Sequence, residues 1–245
     1  MYADDVILLS SSVVKLQKML DICYDTGLEL DAVFNGKKSA LFAVGKAFDV
    51  TIDCLCIGHD SISWTRSLKY LGMFFTAGQK LESDIGCSVR KFYTAANTIY
   101  SRSKYASEMS KLFLTETFCL PLINYGCECI YYNSKKIFNL NACCNNAYRK
   151  VFGMHAWDSV REIQFLCERI DFRHICLLKK ILFLYRLLHK HDNGVLKQCF
   201  ISYSQSVEFV SMCYDFDVMI DICTEQYIHH KIFEHFGCAV KVISF

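Results

Sequence analysis

Apolar residues recur at helical spacing along most of the chain. Val13, Leu16, Leu20 and Tyr24 lie three or four residues apart, which predicts a helix that ends at Gly27. The same spacing returns near residue 81 and predicts amphipathic helices up to residue 189. They cover about residues 81–105, 107–119, 135–152, 160–169 and 172–189. The periodicity weakens afterwards, so residues 195–245 receive no assignment.

Short apolar runs between turn residues predict strands in the first third. The opening ten residues predict a strand-turn-strand with Asp4 and Asp5 at its tip. Asn35-Gly36 predicts a turn, and Gly58-His59 predicts a second one. Strands are expected at 39–44, 52–57, 60–64 and 67–75. The predicted class is therefore α+β, with short antiparallel strands and one helix followed by a mostly helical region.

The composition indicates a folded chain outside the membrane. Of the 245 residues, 53% are hydrophobic and only one is proline, which favours helices and argues against a disordered tail. No run of about 18 apolar residues is free of charge, so no membrane span is expected. Asp4 and Asp5 occupy positions where a secretory signal needs positive charge. We therefore expect an intracellular protein, in the nucleus or the cytoplasm.

The cysteines do not form a recognisable metal or disulfide pattern. The chain has 15 cysteines and no C-x-x-C pair, so the spacing of a zinc knuckle is absent. They are scattered among the predicted helices. We expect them to be reduced and to behave as small buried apolar residues.

Charge is unevenly distributed. Residues 1–60 carry 5 basic and 9 acidic residues, residues 80–150 carry 10 and 5, and residues 191–245 carry 3 and 7. The basic block in the middle could face a phosphate backbone. An ordinary solvated helix surface would show the same excess, so charge alone leaves both interpretations open.

Two adjacent carboxylates between apolar arms have a chemical use. Asp4 and Asp5 would repel each other on a tight turn, and a hard divalent cation such as Mg²⁺ relieves that repulsion. A pair of aspartates on a solvated turn is the simpler alternative.

Several motifs together resemble reverse transcriptases of non-LTR (LINE-type) retrotransposons. Tyr2-Ala3-Asp4-Asp5 is similar to the metal-binding palm motif of that family, and the others follow in the family's order and spacing over about residues 1–175. They are Val13–Gly27, Phe34–Ser39, Leu68–Gly72, Tyr125–Glu128 and Asn146–Gly153. The resemblance implies a truncated palm at 1–79, a helical thumb at 80–152 and a helical C-terminal region at 153–245.

The resemblance also implies roles for particular residues. Asp4 looks like the principal metal ligand and Asp5 like its neighbour, with Mg²⁺ as the ion and Mn²⁺ as the alternative. Lys38, or else Lys37, lies where the family has a lysine near the leaving pyrophosphate, although a solvated turn is the alternative. Tyr2 would support the primer end or the incoming nucleotide.

The implied partners are an RNA template and a DNA primer. Tyr70 and Gly72 fall in the segment where the family has its primer-grip hairpin, with ordinary core packing as the alternative. The thumb helices would contact phosphates, which position a duplex without specifying its sequence. The candidates for these contacts are Arg90, Lys91, Arg102, Lys104 and Lys111.

Three functional hypotheses remain open at the level of sequence. The chain is a fragment of an RNA-directed DNA polymerase, or a non-catalytic remnant that binds nucleic acid, or an interaction module. In the last case the apolar helix 172–189 would dock a protein partner. Binding of an RNA–DNA duplex separates the second hypothesis from the third.

We expect no measurable polymerase activity from the isolated chain. The family's palm takes a third carboxylate from an earlier strand, and its fingers domain also precedes the Tyr-Ala-Asp-Asp motif, where this sequence has only Met1. Two-metal catalysis needs the complete ligand set. Primer extension on a poly(rA) template with Mg²⁺ or Mn²⁺ tests this, and robust incorporation that disappears in Asp4→Asn would contradict it.

Overall fold

The chain folds into two compact units, Met1–Asp84 and Ile85–Phe245. The computed structural model describes residues 5–46, 48–49, 53–130, 132–190, 194–205, 207–218 and 223–241. Small sheets and one helix occupy the first unit, and helices occupy the second, so the α+β class is confirmed at this level. The finer division into palm, thumb and C-terminal region stays a prediction.

The first unit contains one helix, α1 (Val13–Glu29), and three small sheets in its described part. Strand β1 pairs in parallel with β4, β2 forms an antiparallel hairpin with β3, and β5, β6 and β7 form an antiparallel three-stranded sheet. The strands are β1 (Leu41–Phe42), β2 (Leu55–Ile57), β3 (Asp60–Ile62), β4 (Trp64–Thr65), β5 (Ser67–Tyr70), β6 (Met73–Thr76) and β7 (Glu82–Asp84).

One face of α1 packs on the β2–β3 hairpin. Leu20 is buried with residues of β1, β2 and β3, and Gln17 fixes the helix to the strand edge. The Gln17 side chain donates to the Cys56 carbonyl at 2.8 Å and accepts from the Cys56 N–H at 2.9 Å. Gly58 turns the hairpin with φ of 58°, and a Cβ there would lie 2.2 Å from the Tyr24 ring. Glycine is therefore required by both backbone and space.

The structure differs from the predicted strands in three places. Residues 1–4 lie outside the described residues, and Val6–Ser10 is not a strand, because its apolar side chains are mostly exposed and only Asp5 makes an isolated bridge. The predicted strand 67–75 is a hairpin, β5–β6. Residues 82–84, placed in a helix by periodicity, form strand β7 because they pair with β6.

All regular secondary structure in the described part of the second unit is helical. Its first four helices are α2 (Gly86–Arg102), α3 (Glu108–Phe118), α4 (Leu120–Asn124) and α5 (Ser134–Phe152). The remaining helices are α6 (Arg161–Leu166), α7 (Phe172–Lys190), α8 (Gly194–Ser204), α9 (Val207–Asp215) and α10 (Glu225–Lys241). None of the helices in the described ranges has the length and apolarity needed to cross a bilayer.

Local sequence signals set several helix ends. Ser107 and Asn133 cap α3 and α5 by accepting the N–H groups of Ser110 and Lys136. Gly153 ends α5 in the left-handed conformation. Pro121 lies in the first turn of α4, where its missing N–H costs nothing. A second helix therefore begins directly after α3 ends.

Buried cysteines form part of the core between α2, α4, α5 and α7. Phe92, Leu140 and Phe172 are almost fully buried there. Five thiols pack among them, and all the cysteines in the described side chains are free. The prediction of burial holds for these five and is wrong for four others, which are exposed on loops, strands or a helix surface. The buried five are Cys119, Cys127, Cys143, Cys144 and Cys176.

A second core joins α7 to the C-terminal helices. Ile181 of α7 and Ile228 and Ile232 of α10 are completely buried in it. Residues 195–245 therefore contain helices that the sequence analysis left unassigned. Helix α7 buries its apolar residues against α5, α8 and α10. Helices of the same chain therefore cover the apolar surface to which a protein partner would have to bind. That docking stays a prediction.

A buried polar chain begins α7. Asp171 precedes the helix, and its Oδ1 accepts the His174 N–H at 2.9 Å and the His174 Nδ1 at 2.6 Å. His174 Nε2 lies 3.2 Å from His235 Nδ1 on α10. Burial would raise the pKa of Asp171, but the hydrogen bonds and charge of His174 lower it overall. Burial, with the charges of His174 and Arg173, lowers the pKa of His235.

We predict that Asp171→Asn destabilises the chain by roughly 3 kcal/mol at neutral pH, because it replaces the buried carboxylate that binds the His174 ring with a neutral amide. The depressed pKa means that this stabilisation is present above the ordinary value of 3.8 and is lost as the pH falls through the folded value. Urea unfolding of wild type and variant between pH 4 and 8, followed by circular dichroism, measures the difference.

The control is Asp158→Asn, since Asp158 also accepts a backbone N–H, from His155, but is only half-buried and binds no histidine ring. We expect it to cost about 1 kcal/mol. Equal losses for the two variants would contradict the importance of the buried pair. In both variants the free energy of unfolding should also fall below about pH 6.5. As the pH is lowered, His235 takes up a proton in the unfolded chain before it does so in the folded chain, because its pKa is lower in the folded chain.

Candidate nucleic-acid interface

Helices α2 and α5 lie side by side and run parallel. Asn146 of α5 donates to the Tyr93 hydroxyl of α2 at 3.3 Å, and Lys150 donates to Asn97 Oδ1 at 2.7 Å. Asn97 follows Tyr93 by four residues on α2, and Lys150 follows Asn146 by four residues on α5. Both helices therefore advance by about one turn in the same direction from the first bond to the second. The Lys150 ammonium also lies 5.0 Å from the centroid of the Tyr100 ring. Polar contacts therefore close the outer edge of this helix pair.

Neither helix carries an acidic residue. Residues 85–107, which include α2, contain four basic residues and no Asp or Glu, and residues 129–157, which include α5, contain another four and none. The two parallel helices thus contribute seven positive charges and no negative ones, and the turn after α2 adds an eighth positive charge. Such a surface attracts polyanions because no neighbouring carboxylate on either helix offsets the charge. The eight are Arg90, Lys91, Arg102, Lys104, Lys135, Lys136, Arg149 and Lys150.

The outer edge of the pair defines the candidate site. We call Arg90, Asn97, Asn146, Arg149 and Lys150 the α2–α5 surface. By helical geometry, Arg90 and Asn97 lie within about 20° of each other around α2 and face the α5 side. Arg149 donates to Asn146 Oδ1 at 2.9 Å and to the Asp158 carbonyl at 3.0 Å. The surface therefore combines cations with amide groups, the side chains that contact phosphate and sugar.

The tyrosines beneath this surface add no negative charge. Tyr93 and Tyr100 lie between α2 and α5, and burial raises the pKa of both hydroxyls. Both therefore stay protonated at neutral pH. Neither hydroxyl therefore offsets the charge of the basic side chains at the α2–α5 surface.

The five thumb residues predicted from sequence do not share one face. Arg90 belongs to the α2–α5 surface, whereas Lys91 and Arg102 lie about 100° or more around α2, on its other flank. Lys104 is exposed in the turn after α2, and Lys111 is half-buried on α3. Among the described residues none of Arg90, Lys91, Arg102 and Lys104 is paired with a carboxylate. The predicted set is thus divided between two surfaces.

Sequence reasoning missed most of the α2–α5 surface. Asn97, Asn146, Arg149 and Lys150 were not selected, although the acid-free stretch 129–157 was a usable signal. It also missed Trp157, which follows α5, is 80% exposed and stacks on His155 with ring centroids 4.8 Å apart. Exposed aromatic rings beside cations can stack on unpaired bases.

The segment at Tyr70 and Gly72 forms a tight hairpin between β5 and β6. Tyr70 pairs with Met73, and the two residues between them, Leu71 and Gly72, both have positive φ, 44° and 81°. Positive φ at both central positions is typical of type I′ turns, whose twist matches the paired strands. Tyr70 is half-buried and Gly72 exposed, so the turn presents backbone rather than side chain. Its role in holding a primer stays a prediction.

The proposed catalytic residues are described only in part. Tyr2 and Asp4 lie outside the described residues. Asp5 is exposed, and Lys37 and Lys38 are exposed in a turn where Asn35 accepts the Lys38 N–H through its carbonyl and its side chain. No hydrogen bond or ion pair joins Lys38 to Asp5. Their catalytic roles stay predictions.

Within the described residues, no three His, Cys, Asp or Glu side chains are grouped as a metal site would require. Because Asp4 is not among them, the fit of Mg²⁺ or Mn²⁺ to the aspartate pair is untested, and metal binding stays a prediction.

Comparison with models of known families, with curated proteins and with solved structures gave no match.

Proposed function

We propose that this chain is a nucleic-acid-binding portion of an RNA-directed DNA polymerase similar to those of non-LTR retrotransposons. In this proposal the helical unit holds an RNA–DNA duplex by its phosphates. The observation that carries it is the α2–α5 surface, where two parallel helices present basic side chains without a single acid along either helix.

Phosphate binding accounts for the composition of this surface better than solvation does. A solvated helix gains from mixing both signs, because pairs of opposite charge three or four residues apart stabilise it. Helices α2 and α5 have no such pairs. Repulsion between their cations is a cost that an approaching polyanion removes, with release of its counterions. The amides of Asn97 and Asn146 add hydrogen-bonding groups beside the cations.

The polymerase part of the proposal is supported by the sequence resemblance. Tyr2-Ala3-Asp4-Asp5 and the later motifs follow the family's order, and a tight hairpin occurs at Leu68–Gly72, where the family has its primer grip. Bound Mg²⁺ would supply charge neutralisation at the reacting phosphates. Asp4 and Asp5 would hold that ion, and Lys38 would contribute a positive charge near the leaving group. A non-catalytic remnant that keeps only the binding function is the alternative.

We expect the full chain to bind an RNA–DNA hybrid duplex with an affinity that falls steeply with salt, since each neutralised phosphate contributes a slope of about −0.9 in log K against log salt for duplex DNA. The double variant Arg90→Glu/Lys150→Glu should lose at least tenfold in affinity at about 100 mM salt and lower the slope by roughly two. Fluorescence anisotropy of a labelled hybrid measures both quantities.

Two further double variants serve as controls, because they change the net charge by the same amount at positions outside the α2–α5 surface. Lys15→Glu/Lys18→Glu alters exposed residues of α1 and should leave binding within about twofold. Lys91→Glu/Arg102→Glu alters the other flank of α2 and should have an intermediate effect. If the latter variant loses more than Arg90→Glu/Lys150→Glu, the interface lies on the other flank. Binding that does not depend on salt, or no binding, would contradict the proposal.

A further inference from the structure

The helical unit contains a cavity of about 690 Å³ away from the α2–α5 surface. This volume falls within the range of small-molecule sites, about 300–1,000 Å³. Its walls come from α2 to α7 and from α10, together with the loop between α6 and α7. Most of the lining is apolar and much of it aromatic, including Phe92, Tyr148, Phe172 and Phe233. Such walls favour a flat apolar ligand.

Of the two carboxylates and one guanidinium in the lining, Glu116 and Arg169 neutralise each other, and Glu168 is exposed. Arg169 donates from Nε to both oxygens of Glu116, at 2.8 and 2.9 Å, and the Tyr148 hydroxyl donates to the same carboxylate at 3.2 Å. The hydrogen bond from Arg169 to Glu116 raises the pKa of the guanidinium, which stays charged and paired. A charged ligand would have to break this pair, so the cavity favours a neutral one.

One buried polar atom of the lining has no partner. Gln164 is only 1% exposed, and its Nε2 donates to Asn145 Oδ1 at 3.4 Å. Within the described part of the chain, its Oε1 accepts no hydrogen bond. A buried acceptor without a donor is costly, so a bound group that donates a hydrogen bond to it would be stabilised. The Gln164 backbone is fixed, since its N–H donates to Val160 and its carbonyl accepts from Arg169.

We propose that this cavity binds a neutral aromatic small molecule that donates one hydrogen bond to Gln164 Oε1. The ligand is defined by three features: flat apolar rings that contact the phenylalanines, no net charge beside the Arg169–Glu116 pair, and a single N–H or O–H directed at Gln164. The site is independent of nucleic-acid binding, because none of its lining residues belongs to the α2–α5 surface.

A matched pair of probes tests the hydrogen bond directly. Carbazole has three fused rings and one N–H, and fluorene has nearly the same shape with CH₂ in place of N–H. We expect saturable binding of both to the full chain, with carbazole about three- to tenfold tighter, the ratio expected from one hydrogen bond. Probe fluorescence during titration with protein gives both dissociation constants.

Variants locate the effect. Gln164→Met keeps length and volume but removes the acceptor, so it should weaken carbazole alone and bring the ratio close to one. Gln226→Met, at an exposed residue of α10 outside the lining, should keep the ratio of the wild type. Ile175→Trp, which fills part of the cavity, should weaken both probes at least tenfold. Circular dichroism confirms that each variant is folded.

The wild-type chain alone can overturn the proposal, whatever the folding of the variants. Absence of saturable binding would remove the site, and equal affinities for carbazole and fluorene would remove the hydrogen bond to Gln164. A folded Gln164→Met variant that keeps the preference for carbazole would assign the hydrogen bond to another acceptor and so also contradict the proposal.

Discussion

The register of α2 against α5 is the constraint on which the basic surface depends. Two hydrogen bonds, from Asn146 to Tyr93 and from Lys150 to Asn97, keep the helices parallel. The contact between Lys150 and Tyr100 places a cation over an aromatic ring at the edge of the pair. Without that register, basic residues spread along separate helices would form only scattered charges. With it, Arg90, Arg149 and Lys150 lie along one edge of the helix pair, above a core of phenylalanine, leucine and cysteine.

Polar groups inside the helical unit are arranged as short closed networks. Asp171 caps α7 and binds His174, which reaches His235 of α10, and Glu116 joins Arg169 to Tyr148. Each network links helices that are distant in sequence, and each satisfies its charges internally. Gln164 Oε1 and the Tyr203 hydroxyl depart from this pattern, and of these two residues only Gln164 lines the cavity. The rest of the unit shows that buried polar atoms here are normally paired.

The secondary structure of segments with strong local sequence signals was predictable from the sequence, whereas structure that depends on long-range contacts was not. Helices α1, α3 and α5 were found from apolar spacing because their caps and periods agree. The β5–β6 hairpin was read as one strand, since Leu71 carries no turn signal and Gly72 alone did not outweigh the flanking apolar residues. Helix α10 was missed although Ile228, Ile232 and Phe236 recur every four residues, because polar and histidine residues between them obscured the pattern. The parallel pairing of α2 and α5 could not be read from either helix alone.

The cysteine-rich core gives this protein a chemical asymmetry. Burial raises the pKa of Cys119 and Cys144, and only a thiolate is readily alkylated or oxidised. Thiols on the surface, such as Cys54 and Cys56, meet reagents at once, whereas those between the helices are reached only when the bundle opens. The rate at which a thiol reagent labels the inner sulfurs therefore reports how often the bundle opens, residue by residue, without any engineered cysteine.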